Sequence, residues 1–422
     1  MQKTSVLTLT APEKLRREVK LPASKSISAR ALITYALARP DGLSRQALHT
    51  AIANLSDCDD TEAMMAALSD MPEVIDIGAA GTAMRFLTAY LCVTPGTHVI
   101  TGTERMKHRP IGILVDALRS LGADVEYVGE EGFPPLRISG KRLVGGTLSL
   151  PADVSSQYVS ALLMIGPMLS EGLTLNLIGH IASRPYIDMT LAIMAHFGAR
   201  AAWVPSTATL RVEPGGYTPR SYEVESDWSA ASYWYEMVAL TADEAPSVCL
   251  PGLFRKSLQG DSSIAEMFRP LGVETSFVSH GDGTETVRLT RSGKPCAHLE
   301  LDFAAQPDLA QTFVVTCIIL GTTFRFSGLA SLKIKETDRT AALCAELRKL
   351  GFVVREDGDS VVYWDGERCQ ADNSPVIHTY EDHRMAMAFA PVCMKQGNVC
   401  IAHPEVVSKS YPNFWKDFTT QK

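Results

Sequence analysis

A chain of 422 residues exceeds what one ordinary hydrophobic core organises, so two domains are expected. With 46% hydrophobic and 21% charged residues and no biased tract, the composition is that of a folded protein rather than a disordered one. A formal charge of −7 argues against bulk nucleic-acid binding, which leaves a basic footprint.

Residues 1–13 lack the apolar core of a secretion signal and the Arg/Ser bias of a transit peptide. The apolar runs 158–169 and 313–320 are too short to span a bilayer and read as buried helices. Nine scattered cysteines with no Cys-x-x-Cys pair indicate reduced thiols and no structural zinc. These features predict a cytoplasmic protein without a membrane partner.

In chain order, Pro22-Ala23-Ser24-Lys25-Ser26-Ile27-Ser28-Ala29-Arg30 runs into an apolar helix predicted over 31–38, and the Gly78–Arg85 loop into one over 86–92. A helix over 113–121, ended by Gly122, is followed by strands over 125–128 and 136–138. Ser155-Ser156-Gln157 opens the helix at 158. The same grammar then returns as a helix over 190–197 with Gly198 and strands over 201–204 and 209–212. A Pro/Gly-rich break at 214–224 follows, dividing the chain almost evenly. The third copy is a helix over 264–271 with Gly272 and strands over 275–278 and 286–289. Lys335-Glu336-Thr337-Asp338-Arg339 opens the fourth, a helix over 340–350 with Gly351 and strands over 353–355 and 361–364. Asp382-His383-Arg384-Met385 runs into a last helix over 386–392.

Each of the four glycines falls where a helix ends in a residue of positive φ. Four copies at intervals of roughly 75 to 80 residues point to a compact α/β subdomain duplicated along the chain. The five helix starts share a chemistry. Unpaired N–H groups and the positive end of the helix dipole suit phosphate or carboxylate, and each start carries or adjoins a polar or basic side chain. Singly, each has a plain alternative. Lys335 to Arg339 reads as a solvated charge cluster, Asp308 after Pro307 as an N-cap, and Arg109-Pro110 as a helix start with proline at its first position. His383 reads equally well as a structural histidine. Five together favour an anion-binding cleft in an acidic protein.

Lys25-Ser26 with Arg30, the Gly-x-x-Gly-Thr-Ala-Met-Arg loop, Arg109-Pro110, Ser155-Ser156-Gln157, Ser183-x-Pro185-Tyr186-Ile187-Asp188, Lys335 to Arg339, Asp382 to Met385 and Lys409 stand in the order found in the EPSP synthases. The chain resembles that family of enolpyruvyl transferases over residues 21–414. The resemblance implies an α/β (α+β) fold: a two-domain inside-out α/β barrel, each domain three βαβαββ repeats with helix N-termini facing the interdomain cleft. It implies an N-terminal domain at 22–225 and a C-terminal domain formed by 1–21 plus 226–422.

The implied reaction moves the enolpyruvyl group of phosphoenolpyruvate to the 5-hydroxyl of shikimate 3-phosphate, releasing phosphate, with no cofactor, no metal and a monomeric enzyme. By motif match, shikimate 3-phosphate falls to Lys25, Ser26, Arg30, Ser155, Ser156, Gln157, Ser183, Asp308, Ser331 and Lys335. Phosphoenolpyruvate falls to Lys25, Gly81, Arg109, Gln157, Arg339, Arg384 and Lys409. Asp308 and Glu336 are the implied proton-transfer groups, with Lys25 at the leaving phosphate or as an acid. Cations beside Glu336 lower its pKa and desolvation raises it, and the sequence leaves that balance open.

Some positions depart from the family pattern. Ala79 and Ser331 stand where asparagine is frequent, Phe86 follows Met84-Arg85 where proline is common, and Trp228 occupies a usually smaller position. Two rivals follow. A UDP-N-acetylglucosamine enolpyruvyl transferase needs a thiol in the loop before Arg109-Pro110, and residues 103–108 contain none. A non-catalytic anion-binding relative is suggested by Ala79 and Ser331 but opposed by the retention of Asp308, Glu336 and the basic residues.

Overall fold

Four four-stranded sheets share one strand order in the computed structural model, which describes residues 5–39, 42–151 and 155–419. The chain divides into two compact units, one of residues 23–224 and one combining the residues up to Pro22 with those from Glu225 onward. Residues 1–4, part of the segment read as lacking a secretion signal and assigned to the C-terminal domain, lie outside the described residues, as do 40–41, 152–154 and 420–422.

Within residues 23–224, one sheet runs Val74–Asp76, Gly96–Thr101, Leu136–Gly140, Asp124–Tyr127. Its first two strands are parallel and joined through the helix Gly81–Val93; the last two form an antiparallel hairpin entered from the helix Gly112–Ser120. Parallel neighbours need such a crossover, whereas antiparallel ones need only a turn. The second sheet, Gly146–Pro151, Leu173–Ile178, Thr209–Val212, Ala201–Trp203, repeats the plan with the helices Ser156–Ile165 and Arg184–His196.

The other unit has the same two sheets. In the first, Arg16–Glu18 supplies the edge strand beside Ser247–Pro251, followed by Glu285–Arg291 and Val273–Ser279. In the second, His298–Asp302, Thr323–Ser327, Val361–Trp364 and Arg355–Asp357 enclose the helices Ala310–Leu320 and Arg339–Lys349.

The expectation of three complete βαβαββ repeats per domain needs correction: among the described residues each unit has two. The third sheet of residues 23–224 has only two short parallel strands, Ile52–Ala53 and Tyr222–Glu223. That of the other unit has three, Val376–Ile377, Asn398–Ala402 and the N-terminal Val6–Thr10. Val6–Thr10 pairs with residues nearly the whole chain away and Arg16–Glu18 with residues about half the chain away, and local periodicity does not report either.

Gly122, Gly198, Gly272 and Gly351 all have φ between 83° and 90°, the left-handed turn that ends each repeat helix. Three of the four repeat helices are continuous. The third breaks after Met267 into the short helix Arg269–Leu271, because Pro270 has no N–H to continue the ladder.

The helix Arg184–His196 starts six residues earlier than expected, and two apolar helices also start early, Lys25–Ala38 by six residues and Gly81–Val93 by five. Both are buried on nearly every side, from Ile27 to Leu37 and from Ala83 to Cys92. Burying residues such as Leu32, Ile33, Phe86 and Leu87 stabilises by about 1.5–3 kcal/mol each, which outweighs the roughly 1 kcal/mol helix penalty of a glycine. As a result, the Lys25–Arg30 and Gly81–Arg85 motifs lie within the first two turns of these helices, with their side chains fixed by helix geometry rather than by a loop.

Candidate active site

In residues 23–224, Arg30 is fully buried and has no carboxylate partner among the described residues. Its Nε donates to Thr190 Oγ1 at 2.7 Å, Nη1 to the Ser26 carbonyl at 2.9 Å and Nη2 to Ser160 Oγ at 3.2 Å. Phe86 and Tyr186 flank its guanidinium at 5.1 and 5.8 Å. Burial pushes the pKa down to about 10, with Tyr186 acting in the opposite sense. A buried cation offset only by neutral groups is the electrostatic condition for an anion site. Lys25, one and a half turns earlier, is instead held by Asp60 at 2.8 Å.

The glycine loop and the Arg-Pro pair come together. A Cβ placed on Gly81 would lie 2.5 Å from Nη1 of Arg109, so the guanidinium packs where only hydrogen fits. Arg85, in the same helix, donates to the carbonyls of Gly81 at 3.2 Å and Pro110 at 3.0 Å. Tyr158 Oη reaches the same Pro110 carbonyl at 2.7 Å and so helps to anchor the segment that carries Arg109. Pro110 thus serves as an anchor two residues ahead of the helix Gly112–Ser120, rather than as its first residue. Ser155 caps the helix Ser156–Ile165 by accepting from the Gln157 N–H, and Gln157 Nε2 donates to Thr82 Oγ1 at 3.1 Å. That bond ties the Ser-Ser-Gln motif to the first turn carrying Gly81. Ser183, buried with φ 54°, precedes the helix Arg184–His196 without capping it through its side chain.

In the other unit, one guanidinium gathers three carboxylates. Arg339 donates from Nε to Asp382 Oδ2 at 2.6 Å, from Nη1 to Asp308 Oδ1 at 2.9 Å and from Nη2 to Glu336 Oε2 at 2.9 Å. Burial alone would lower its pKa, but Asp382, Glu336 and Asp308 outweigh burial and hold it above the ordinary value. Asp308 is therefore no simple N-cap. Its other oxygen accepts from Arg384 Nη2 at 3.0 Å, and Lys335 Nζ lies 3.7 Å away. Burial opposes its charge, yet Arg384, Lys335 and Arg339 prevail and hold the carboxyl far below the usual range. Glu336 also takes Lys409 Nζ at 2.8 Å.

Asp382 caps the helix His383–Phe389 through the Arg384 N–H at 2.9 Å, so the residue that grips Arg339 also sets Arg384. Ser331, in the turn Ala330–Ile334, makes no side-chain hydrogen bond among the described residues.

Four residues that matter here escaped sequence reasoning: Asp60, Ser160, Thr190 and Asp261. Asp261 is buried, accepts a short hydrogen bond from Ser229 Oγ, and is pushed up to about 7 by burial and then by the charge of Asp308. Only the acidic run Asp57, Asp59, Asp60 hinted at a partner for Lys25. The hydroxyls and Asp261 carry no motif.

This architecture is that of solved EPSP synthases. A structure from Acinetobacter baumannii aligns with a TM-score of 0.76, covering 98% of this chain and 97% of that one, and at 20% identity the likeness is one of fold. The sequence carries the relation further. The profile of the EPSP synthase (3-phosphoshikimate 1-carboxyvinyltransferase) family matches residues 9–75 and 67–418. A relative from Bacteroides fragilis named 3-phosphoshikimate 1-carboxyvinyltransferase is 55% identical over 409 residues, 97% of this chain and 96% of that one. One of the same name from Vibrio cholerae is 36% identical over 441 aligned residues, 98% of each. The chain belongs to the EPSP synthase family. Among the described residues no helix is long and apolar enough to cross a membrane.

Proposed function

We propose that this protein transfers the enolpyruvyl group of phosphoenolpyruvate to the 5-hydroxyl of shikimate 3-phosphate. The observation that carries the site assignment is the polarity of the Arg339 cluster. Four cations, Lys335, Arg339, Arg384 and Lys409, surround the three carboxylates of Asp308, Glu336 and Asp382, and the two candidate proton-transfer groups share one guanidinium.

In this reading Arg30, with Ser26, Ser155, Ser156, Gln157, Ser183, Asp308, Ser331 and Lys335, holds shikimate 3-phosphate. Gly81, Arg109, Gln157, Arg339, Arg384 and Lys409 hold phosphoenolpyruvate, and Lys25 serves both substrates. A proton added at C3 of the donor makes C2 electrophilic. The 5-oxygen bonds to C2 and gives up its proton to a base. Removal of a C3 proton then expels phosphate with its C–O bonding pair and leaves the enol ether. Asp308 and Glu336 move these protons, and Lys25 steadies the departing phosphate.

Asp308 is too weak a base while Arg384, Lys335 and Arg339 surround it. A donor carboxylate or phosphate that recruits Arg384 removes part of that stabilisation and raises the pKa of Asp308 toward the range a base needs. Substrate binding thus switches the base on.

The test is phosphate release from phosphoenolpyruvate by the purified protein with shikimate 3-phosphate, and in parallel with UDP-N-acetylglucosamine. Release with the first and none with the second is expected. Silence with shikimate 3-phosphate would overturn the assignment.

A further inference from the structure

The turn that delivers Asp382 is built against its own preference. Tyr380 and Glu381 have φ of 53° and 56°, and the Asp382 N–H closes the turn on the Thr379 carbonyl at 2.8 Å. Two consecutive left-handed residues suit Asn-Gly, not tyrosine and glutamate, so something outside the turn must hold it.

The holder is Glu346. It lies on the helix Arg339–Lys349, two turns beyond Arg339 and therefore on the same face. Its carboxylate is fully buried and takes the Tyr380 Oη–H at 2.6 Å and the His378 N–H at 3.0 Å. Lys349, on the next turn, closes on both Glu346 oxygens at 2.8 and 2.6 Å and on the Val376 carbonyl at 3.1 Å. One helix face thus grips the segment 376–382 at two ends: Glu346 at the turn and Arg339 at Asp382. Burial first, and then the bond and charge of Glu346, push the Tyr380 phenol up, so it remains a donor throughout the working pH range.

We propose that Glu346 is a positioning residue for the transfer reaction. By holding the Tyr380–Glu381 turn it fixes Asp382, and through Asp382 the aim of Arg339 and Arg384 at the donor. The proposal rests on the reading that these two arginines bind phosphoenolpyruvate.

The variants are Glu346→Gln and, as a milder change at a 40% exposed side chain, Tyr380→Phe. Each should raise the KM for phosphoenolpyruvate about tenfold while leaving that for shikimate 3-phosphate within about twofold, since a misaimed arginine costs only the ligand it touches. Backbone exchange of the 378–386 peptide should speed up in both. The decisive arm adds Tyr380→Asn and Glu381→Gly to Glu346→Gln, supplying a pair that adopts the turn unaided. Donor KM and exchange should both return toward wild type. An unchanged donor KM in both first variants, or no recovery in the last, would overturn the proposal. If the wild-type protein does not turn over these substrates, the functional reading fails by itself, and the exchange data alone decide whether Glu346 holds the turn.

Discussion

The guanidinium of Arg109 occupies the space a side chain on Gly81 would need, with Nη1 2.5 Å from the position of a Cβ. The close neighbour is the far end of a long side chain, so Gly81→Ala displaces Arg109 rather than breaking the helix. The expected result is a donor KM raised about tenfold or more, because a shift of about 1 Å in a binding group costs up to 100-fold. Melting temperature and the KM for shikimate 3-phosphate should barely move. Steady-state kinetics varying each substrate in turn check this, and equal changes in both KM values would refute it.

Asp308 and Glu336 share Arg339 but face different second cations, Arg384 and Lys409. Asp308→Asn and Glu336→Gln should each lower kcat by about 100-fold to 10,000-fold, the usual worth of a positioned proton-transfer group. Donor binding should persist or tighten, since each change removes a negative charge from a site that receives an anion. Isothermal titration with phosphoenolpyruvate and single-turnover rates separate the two effects. Near-wild-type turnover in either variant would remove that residue from the chemistry.

What could be read in advance follows the range of each interaction. The helix-terminating glycines 122, 198, 272 and 351 act within one turn, and their positive φ was legible from the sequence. Pro270 acts just as locally, yet the apolar pattern around it concealed the break. Asp308 reads as a cap when only its neighbours are considered, because its true partner Arg384 lies 76 residues away. Arg85 stands inside the glycine motif and donates to the Gly81 and Pro110 carbonyls, and the Pro110 contact, 25 residues away, is visible only in three dimensions. The N-terminal strands are illegible for the same reason, since their partners sit near residues 250 and 400.

Arg30 and Asp382 are both buried charges, but neutralising them should affect stability to very different extents. Asp382→Asn leaves Arg339 without its closest partner, and breaking a buried pair costs about 3–5 kcal/mol. Arg30→Met leaves Thr190 and Ser160, which are already bonded to each other at 2.9 Å, still paired. It should therefore change stability by less than about 1 kcal/mol, because it removes an uncompensated buried cation. The same variant should weaken shikimate 3-phosphate binding by about 100-fold, the worth of a charge-assisted bidentate contact of about 3 kcal/mol. Urea denaturation and ligand titration test both halves. Destabilisation of Arg30→Met as large as that of Asp382→Asn would show the cation to be structural.

Asp261 should leave a signature in the pH dependence of stability. The unfolded chain gives up this proton near pH 4, whereas the folded protein retains it to about 7, because burial and then the charge of Asp308 disfavour ionisation more than Ser229 and Arg384 favour it; Asp227 adds to the repulsion. Between those values the folded state binds more protons than the unfolded one, so this group's contribution falls as pH rises and is fully lost above about 7. Three pKa units correspond to roughly 2–4 kcal/mol once relaxation is allowed for. Asp261→Asn keeps a neutral acceptor for the Ser229 hydroxyl and never ionises. Relative to wild type it should gain stability progressively from pH 5 to pH 8, with the difference levelling off above 7. Urea midpoints for the two proteins across that range measure it. A constant difference between them would mean that Asp261 is already ionised at pH 5, and that Arg384 governs it more strongly than burial does.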